Sequence, residues 1–454
     1  MAKQYMGLVG LAVVYGFASG KEGNLWSGSL FKKTSLATLD QALVSATNFA
    51  IGLVIIRLAH PEEYGYFVFA NAALLFIIGM QNALISTPMT VILPSREETR
   101  NGKFPLEMMI GQCFLFASMT ALFISVLQFF EGPSRQYGQI LTVTCMVSNA
   151  VALKELIRTW FYIILRPAVV LVIDLLYAML LFLCLALFVW MGHLDAIRAL
   201  WGVGAASLAV VMIGFLVAMK NGSLGPVEDL RRFRHLFSEL FRLGRWGLLG
   251  SIVTWFQTQS YAYLVIGLLG PKETALASAS RLFFAPLALM VSSWGVVYMP
   301  WGAKLAKKDP GRMLKTMSTM MALLLVASLL YSVILLLFYG HLIDSVLGAG
   351  YQEVERAFLI LWSAYFCIQA VRSGVSNSLL ILQEFRGLSL CSIAAAFVTV
   401  SASWPLIAFY GIKGSIFGLV LGEVFLILLC SRLLGSVLRR QSVTGSVQIE
   451  EAPA

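Results

Sequence analysis

"RLAHPEEYG" (57–65) and "GLLGPKETA" (267–275) place Pro61 and Pro271 210 positions apart, each between two long apolar runs. The runs that follow carry Pro88 in "ISTPMTVILP" and Pro300 in "VVYMPWGAKL", 212 apart, and a basic stretch comes after each. The spacing is that of a tandem repeat. Six apolar runs fall on each side of residues 220–243, at roughly 35–58, 64–94, 106–130, 136–163, 167–191, 194–219, 244–269, 273–303, 313–338, 354–382, 388–410 and 413–436. Each reaches the ~20 residues a helix needs to cross a bilayer. The pattern predicts an all-α polytopic membrane protein with about 12 transmembrane helices. They form two six-helix lobes related by a pseudo-two-fold axis along the membrane normal.

Composition agrees. Of the 454 residues, 59% are hydrophobic and 12% charged, against about 25% charged in a soluble domain, and mean hydropathy is +0.82. No water-soluble core hides that much apolar surface. The net charge of +10 reads as basic inner loops rather than as a nucleic-acid surface. With the N-terminus inside, 24 of the 33 Lys and Arg fall on the inner side and five on the outer side. This alternates loop by loop, as the positive-inside rule requires. A false or missed helix would break the alternation. Both termini are therefore expected in the cytoplasm.

The expected organisation is a cytoplasmic extension (1–34), an N-lobe (35–219), a linker (220–243), a C-lobe (244–436) and a cytoplasmic tail (437–454). Residues 1–20 share features with a weak signal peptide, but cleavage would leave Lys32 and Lys33 outside, so they are read as a loose or interfacial extension. In the linker, Val227, Leu230, Phe233, Phe237, Leu240 and Phe241 recur at helical spacing among Arg231, Arg232, Arg234 and Arg242. That suits an amphipathic helix lying on the inner leaflet; a plain basic connector is the alternative.

Several charges fall inside the spans. Arg281 lies roughly 12 Å below the outer end of the eighth span at 1.5 Å per residue. Arg372 is in the tenth span, and Lys154, Glu155 and Arg158 are in the fourth. Asp40, Asp174 and Glu423 occupy the first, fifth and twelfth. An arginine at the bilayer centre costs at least ~2.5–3.5 kcal/mol and ordinarily faces a bundle interior or a wet cavity. Arg158, near an inner helix end, is expected to snorkel to the interface. Arg281 and Arg372 have no acid within a turn on their own helix. They and Lys154 are read as candidates for an anionic guest, since the guanidinium fork matches phosphate. A structural ion pair, such as Glu155 with Lys154 or Arg158, is the competing reading.

The polar residues Gln257, Gln259 and Tyr261 of the seventh span and Asn48 of the first could meet sugar hydroxyls and ring faces. The same residues commonly bridge membrane helices. Asp40, Glu155, Asp174 and Glu423 are candidates for ion coupling. The six cysteines all lie in apolar runs and the four histidines are scattered, so neither disulfides nor a metal site is expected.

Two segments carry a family likeness. "TLDQALVSATNFAIGLVIIRLAHPEEYGYFVFANAALLFIIGMQNALISTPM" (38–89) resembles the first hairpin of bacterial polysaccharide (O-antigen and exopolysaccharide) flippases, and "ASASRLFFAPLALMVSSWGVVYMPWGAKLAKK" (277–308) resembles their eighth-helix region. These proteins belong to the multidrug/oligosaccharidyl-lipid/polysaccharide exporter superfamily. The resemblance implies transport of an undecaprenyl-pyrophosphate-linked oligosaccharide across the bacterial inner membrane. It implies a cationic cavity between lobes, a proton or sodium gradient, membrane lipids and other polysaccharide-assembly proteins as partners, and no cofactor. Of the cations Arg281, Arg372 and Lys154, only Arg281, in "SRLFFAP", falls in a recognisable family segment.

Three rivals remain. A drug or metabolite exporter of the same superfamily would favour a more acidic or apolar cavity. A major-facilitator transporter would carry G-x-x-x-D-R-x-G-R between its second and third helices, where this chain has "SREETRNGK". A polysaccharide polymerase or other membrane enzyme needs a large outer loop or soluble catalytic domain. No paired carboxylates, Ser–His–Asp set or phosphate-binding Gly loop occupies the linker, so no catalytic residues are assigned.

Overall fold

A computed structural model describes residues 28–93, 106–127, 135–192, 194–220 and 230–450. Residues 1–20, the 95–103 loop and the start of the linker lie outside the described residues. The helices are α1 (Gly28–Leu58), α2 (Pro61–Gln81, passing through a π-helical turn Asn82–Ser86 into Thr87–Ile92), α3 (Leu106–Leu127), α4 (Arg135–Ile163), α5 (Pro167–Trp190) and α6 (Ala196–Lys220). They continue with α7 (Leu230–Leu268), α8 (Pro271–Leu282), α9 (Ala285–Lys308), α10 (Pro310–Leu337), α11 (Arg356–Ile381), α12 (Phe385–Tyr410) and α13 (Ile412–Glu450). Prolines open α2, α5, α8 and α10, where the missing N–H removes no helical bond. Asp309 caps α10 by accepting from the Arg312 amide at 2.8 Å.

Among the described residues, ten helices are long and apolar enough to cross a membrane, and eleven if α8 and α9 count as one broken span. The protein is a multi-pass membrane protein. Two differences from the sequence expectation stand out. The eighth span is interrupted at Phe283–Phe284, because Pro286 in the first turn of α9 has no amide to continue the ladder from α8. The linker helix and the expected seventh span (244–269) form one unbroken α7 of 39 residues, and this helix is not among the ten or eleven that are apolar enough to cross a membrane. Gly244 does not break it. A β-carbon there would stand 2.6 Å from the Ala83 carbonyl oxygen, so glycine permits a close approach to the π turn of α2.

The chain forms two compact units. One contains the described residues up to Trp255 together with Val265–Leu282 and Gly340–Val354; the other contains Phe256–Leu264, Phe283–Tyr339 and Glu355 onward. In the first unit α4 packs on α6 and α2, α2 on α8, and α1 on α5. Its core joins Ile85 and Met89 to Leu156, Trp160, Ile173 and Val210. Helix α5 shows how the register works: Val170, Ile173, Asp174, Leu181 and Leu185 are buried, while Val172, Leu175, Met179, Leu183 and Leu187 form the opposite, exposed stripe. That is the two-faced pattern of a helix between protein and lipid, and it turns Asp174 inward.

In the second unit the closest seam is between α12 and α13. Gly414, Gly418 and Gly422 recur every four residues. β-Carbons there would overlap the Leu406 backbone, Ser403 and Thr399 respectively. Small residues at this spacing let helix backbones touch, and the seam fixes the next residue, Glu423, which is buried.

Candidate functional site

The first unit gathers charged residues from three helices. Arg158 of α4 is 1% exposed and meets three carboxylates. Its Nη2 donates to Asp40 Oδ2 on α1 at 3.0 Å, its Nη1 donates to Glu155 Oε2 at 2.8 Å, and its Nε lies 2.7 Å from Asp174 Oδ2 on α5. The expectation that Arg158 snorkels is corrected: the i, i+3 spacing with Glu155 and the inward registers of Asp40 and Asp174 give it partners that water need not replace. Lys154 Nζ lies 3.6 Å from Glu155 Oε1 and 3.7 Å from the centroid of the Tyr177 ring. Tyr162 donates to Asp40 Oδ2 at 2.6 Å.

All five charged groups are buried. Three carboxylates thus face two cations, and the cluster holds one more negative group than positive. The sequence reading named four of its five charges as candidates but missed Tyr162 and Tyr177. Their signal is spacing: Tyr162 stands four residues after Arg158, and Tyr177 three after Asp174, on the same helix faces.

The second unit holds a simpler pair. Arg372 of α11 forms an ion pair through Nε with Glu423 of α13, both buried. The absence of an acid on α11 therefore does not leave Arg372 without a carboxylate, because α13 supplies one. Ser376, one turn on from Arg372, is buried there too. Of the expected polar lining, Gln257 donates to the Ser392 carbonyl at 3.3 Å, linking α7 to α12. Tyr261 is buried edge-on to Trp362, with ring centroids 5.6 Å apart. Gln259 is half-buried and Asn48 is on the exposed side of α1. Gln257 and Tyr261 thus serve helix contacts in this structure.

Arg281 is less buried than both arginines above. It lies in the last turn of α8, half-buried, one residue before the helix ends at Leu282. Its helical neighbours Ala277, Ser278 and Ser280 are buried. Among the described residues no group of His, Cys, Asp or Glu is placed to hold a metal ion.

The same fold recurs in solved transporters. An inward-facing multidrug-resistance MATE transporter of the MOP superfamily aligns with a TM-score of 0.67 at 13% identity, over 87% of this chain and 95% of that one. The chain shares its fold with that protein. The lipid II flippase MurJ, in an inward closed conformation, aligns with a TM-score of 0.68 at 12% identity, over 88% of this chain and 87% of that one. A MOP-superfamily transporter from Pyrococcus furiosus, described as having a binding pocket of reversed polarity, aligns with a TM-score of 0.58 at 12% identity over 89% and 96%. No protein-family model and no curated protein matches the chain. The shared fold covers 87–89% of the chain in these three alignments.

Proposed function

We propose that the chain is a flippase carrying an undecaprenyl-pyrophosphate-linked oligosaccharide from the inner to the outer leaflet of the bacterial inner membrane, for polysaccharide biosynthesis. The observation that carries this reading is Arg281. It is a cation in the interior of a membrane span, half-accessible, at the end of a helix interrupted beside it. Such a group suits a diphosphate, which it can meet with two parallel charge-assisted bonds. Arg372 would reach a phosphate only by releasing Glu423, and Lys154 only by leaving Glu155 and the Tyr177 ring. Gln257, Gln259, Tyr261 and Asn48 are proposed to serve the glycan as those helices move. In this reading residues 35–219 and 244–436 are the two lobes and both termini are cytoplasmic.

The Arg158 cluster is the proposed ion-coupling site. Its uncompensated carboxylate among Asp40, Glu155 and Asp174 calls for a proton or a monovalent cation, and charge balance in a low dielectric makes that demand strong. Glu423 is a second candidate, released if Arg372 changes partner. The same negative excess favours one alternative: a cationic drug or metabolite as cargo, in an exporter of this fold.

A deletion strain separates these readings. Accumulation of the lipid-linked oligosaccharide on the inner leaflet, cured by the parent gene but not by Arg281→Ala, supports flipping. Normal surface polysaccharide together with hypersensitivity to cationic drugs would replace it with the exporter. Normal translocation with short glycan chains would point to a polymerase.

A further inference from the structure

We propose that the segment Gly340–Val354 is a latch that holds the outer ends of α2 and α8 together. This rests on the reading that the chain is a transporter, and it adds a part that reading does not require. The segment joins α10 to α11, yet it packs within the first unit. Its body is a short π-helical turn, Ile343–Leu347, and a 3-10 turn, Ala349–Tyr351, closed internally by Gln352 Nε2 donating to Asp344 Oδ1 at 2.8 Å. It is therefore a shaped piece rather than a slack connector.

The surface it meets is the repeat itself. The first turns of α2 and α8 approach so closely that a β-carbon at Gly65 would overlap the carbonyl of Pro271. The latch covers this contact. Tyr351 is 1% exposed and stands edge-on to Tyr64, with centroids 6.5 Å apart. A β-carbon at Gly350 would stand 3.1 Å from Pro61 Cγ. Gly348, at φ +89°, makes a turn that other residues rarely adopt, against Arg57. Ile343 and Leu347 are buried. On the α8 side, Lys272 bonds Glu353 at 2.6 Å. That pair is partly exposed and adds little holding force; the buried Tyr351 ring supplies most of it. In sequence the segment is joined to α10 through Phe338 and Tyr339 and to α11 through Glu355, so it ties those helices covalently to the two hairpin tips.

The test uses the full-length chain with its six cysteines replaced. A cysteine at Ser278, buried on α8, reports opening by its rate of labelling with a membrane-impermeant maleimide applied from outside. Tyr351→Ala is expected to raise that rate by about tenfold, a population change equal to ~1.4 kcal/mol. Tyr351→Phe keeps the ring and is expected to label like the parent, since the hydroxyl accepts and donates no bond among the described residues. In a second arm, a cleavable bifunctional reagent joins Lys272→Cys to Glu353→Cys. Flipping should stop and return on reduction. Unchanged labelling in Tyr351→Ala, or normal flipping by the joined protein, overturns the latch. Labelling needs no substrate, so a latch that behaves as described in a protein with no effect on lipid-linked glycan would refute the substrate reading and leave the latch standing.

Discussion

Arg158 Nε stands 2.7 Å from Asp174 Oδ2, and the same guanidinium bonds Asp40 and Glu155, so one side chain ties α1, α4 and α5 together in the interior of the first unit. Losing it strands the buried carboxylates of Asp40 and Asp174 and leaves Glu155 to Lys154. Arg158→Met should therefore destabilise the protein by ~3–5 kcal/mol, read as a fall in melting temperature in detergent. Adding Asp40→Asn and Asp174→Asn should recover most of that loss, because no uncompensated charge then remains. A single variant as stable as the parent would show that the cluster does not hold the helices.

The pair Arg372–Glu423 should behave as a unit. Arg372→Ala or Glu423→Ala alone leaves its partner buried and unmatched, at a cost of ~3–5 kcal/mol. The exchange Arg372→Glu with Glu423→Arg should restore expression and thermal stability towards the parent level. Equal damage from the single and double variants would indicate independent roles.

Arg281→Ala should leave the fold intact and lower flipping by about ten- to hundredfold. Those are the factors that correspond to losing a hydrogen bond to a charged group, ~1.5–3 kcal/mol. Arg281→Lys should retain part of the activity, since charge survives but the fork does not. Transport of a fluorescent lipid-linked analogue in proteoliposomes measures both.

Gly418→Leu drives a side chain into Ser403 across the α12–α13 seam. Overpacking of this kind costs ~1–3 kcal/mol. It should also displace Glu423, so the loss of stability should shrink when the variant is made in Arg372→Leu/Glu423→Leu, where no ion pair depends on the seam.

The Lys272–Glu353 bridge has a defined response to pH. The hydrogen bond from Lys272 to Glu353 raises the ammonium above its ordinary 10.5. Through neutral and mildly alkaline pH a raised lysine keeps its contribution, and it loses it as pH climbs through the raised value. Cysteine labelling at position 278 should thus be flat between about pH 6 and 9 once corrected for thiolate content. An inflection in that window would assign pH sensitivity to some other group.

The sequence made the helices legible because lipid imposes a simple rule: about 20 apolar residues, then a charged or turn-forming break. Asp174 could also be placed, since its register with Val170, Ile173 and Leu181 puts it on the buried stripe of α5. The partner of Arg372 could not. Glu423 is on another helix, and nothing in local spacing says which faces meet. The glycines at 414, 418 and 422 held that information, as a small-residue stripe that brings α13 against α12. The break after Leu282 was written in Pro286, but a long apolar run masked it. Gly340–Val354 had no periodic signal at all, because its fit depends on two hairpins distant in sequence.

Helix α7 has one further mechanical consequence. At 1.5 Å per residue its 39 residues make a rod about 58 Å long, nearly twice the ~30 Å hydrocarbon thickness. A rod that long cannot be wholly immersed unless it lies steeply oblique, so a substantial part must project or rest at the headgroups. No break separates its arginine-rich beginning from the longer remainder, so tilting one portion swings the other.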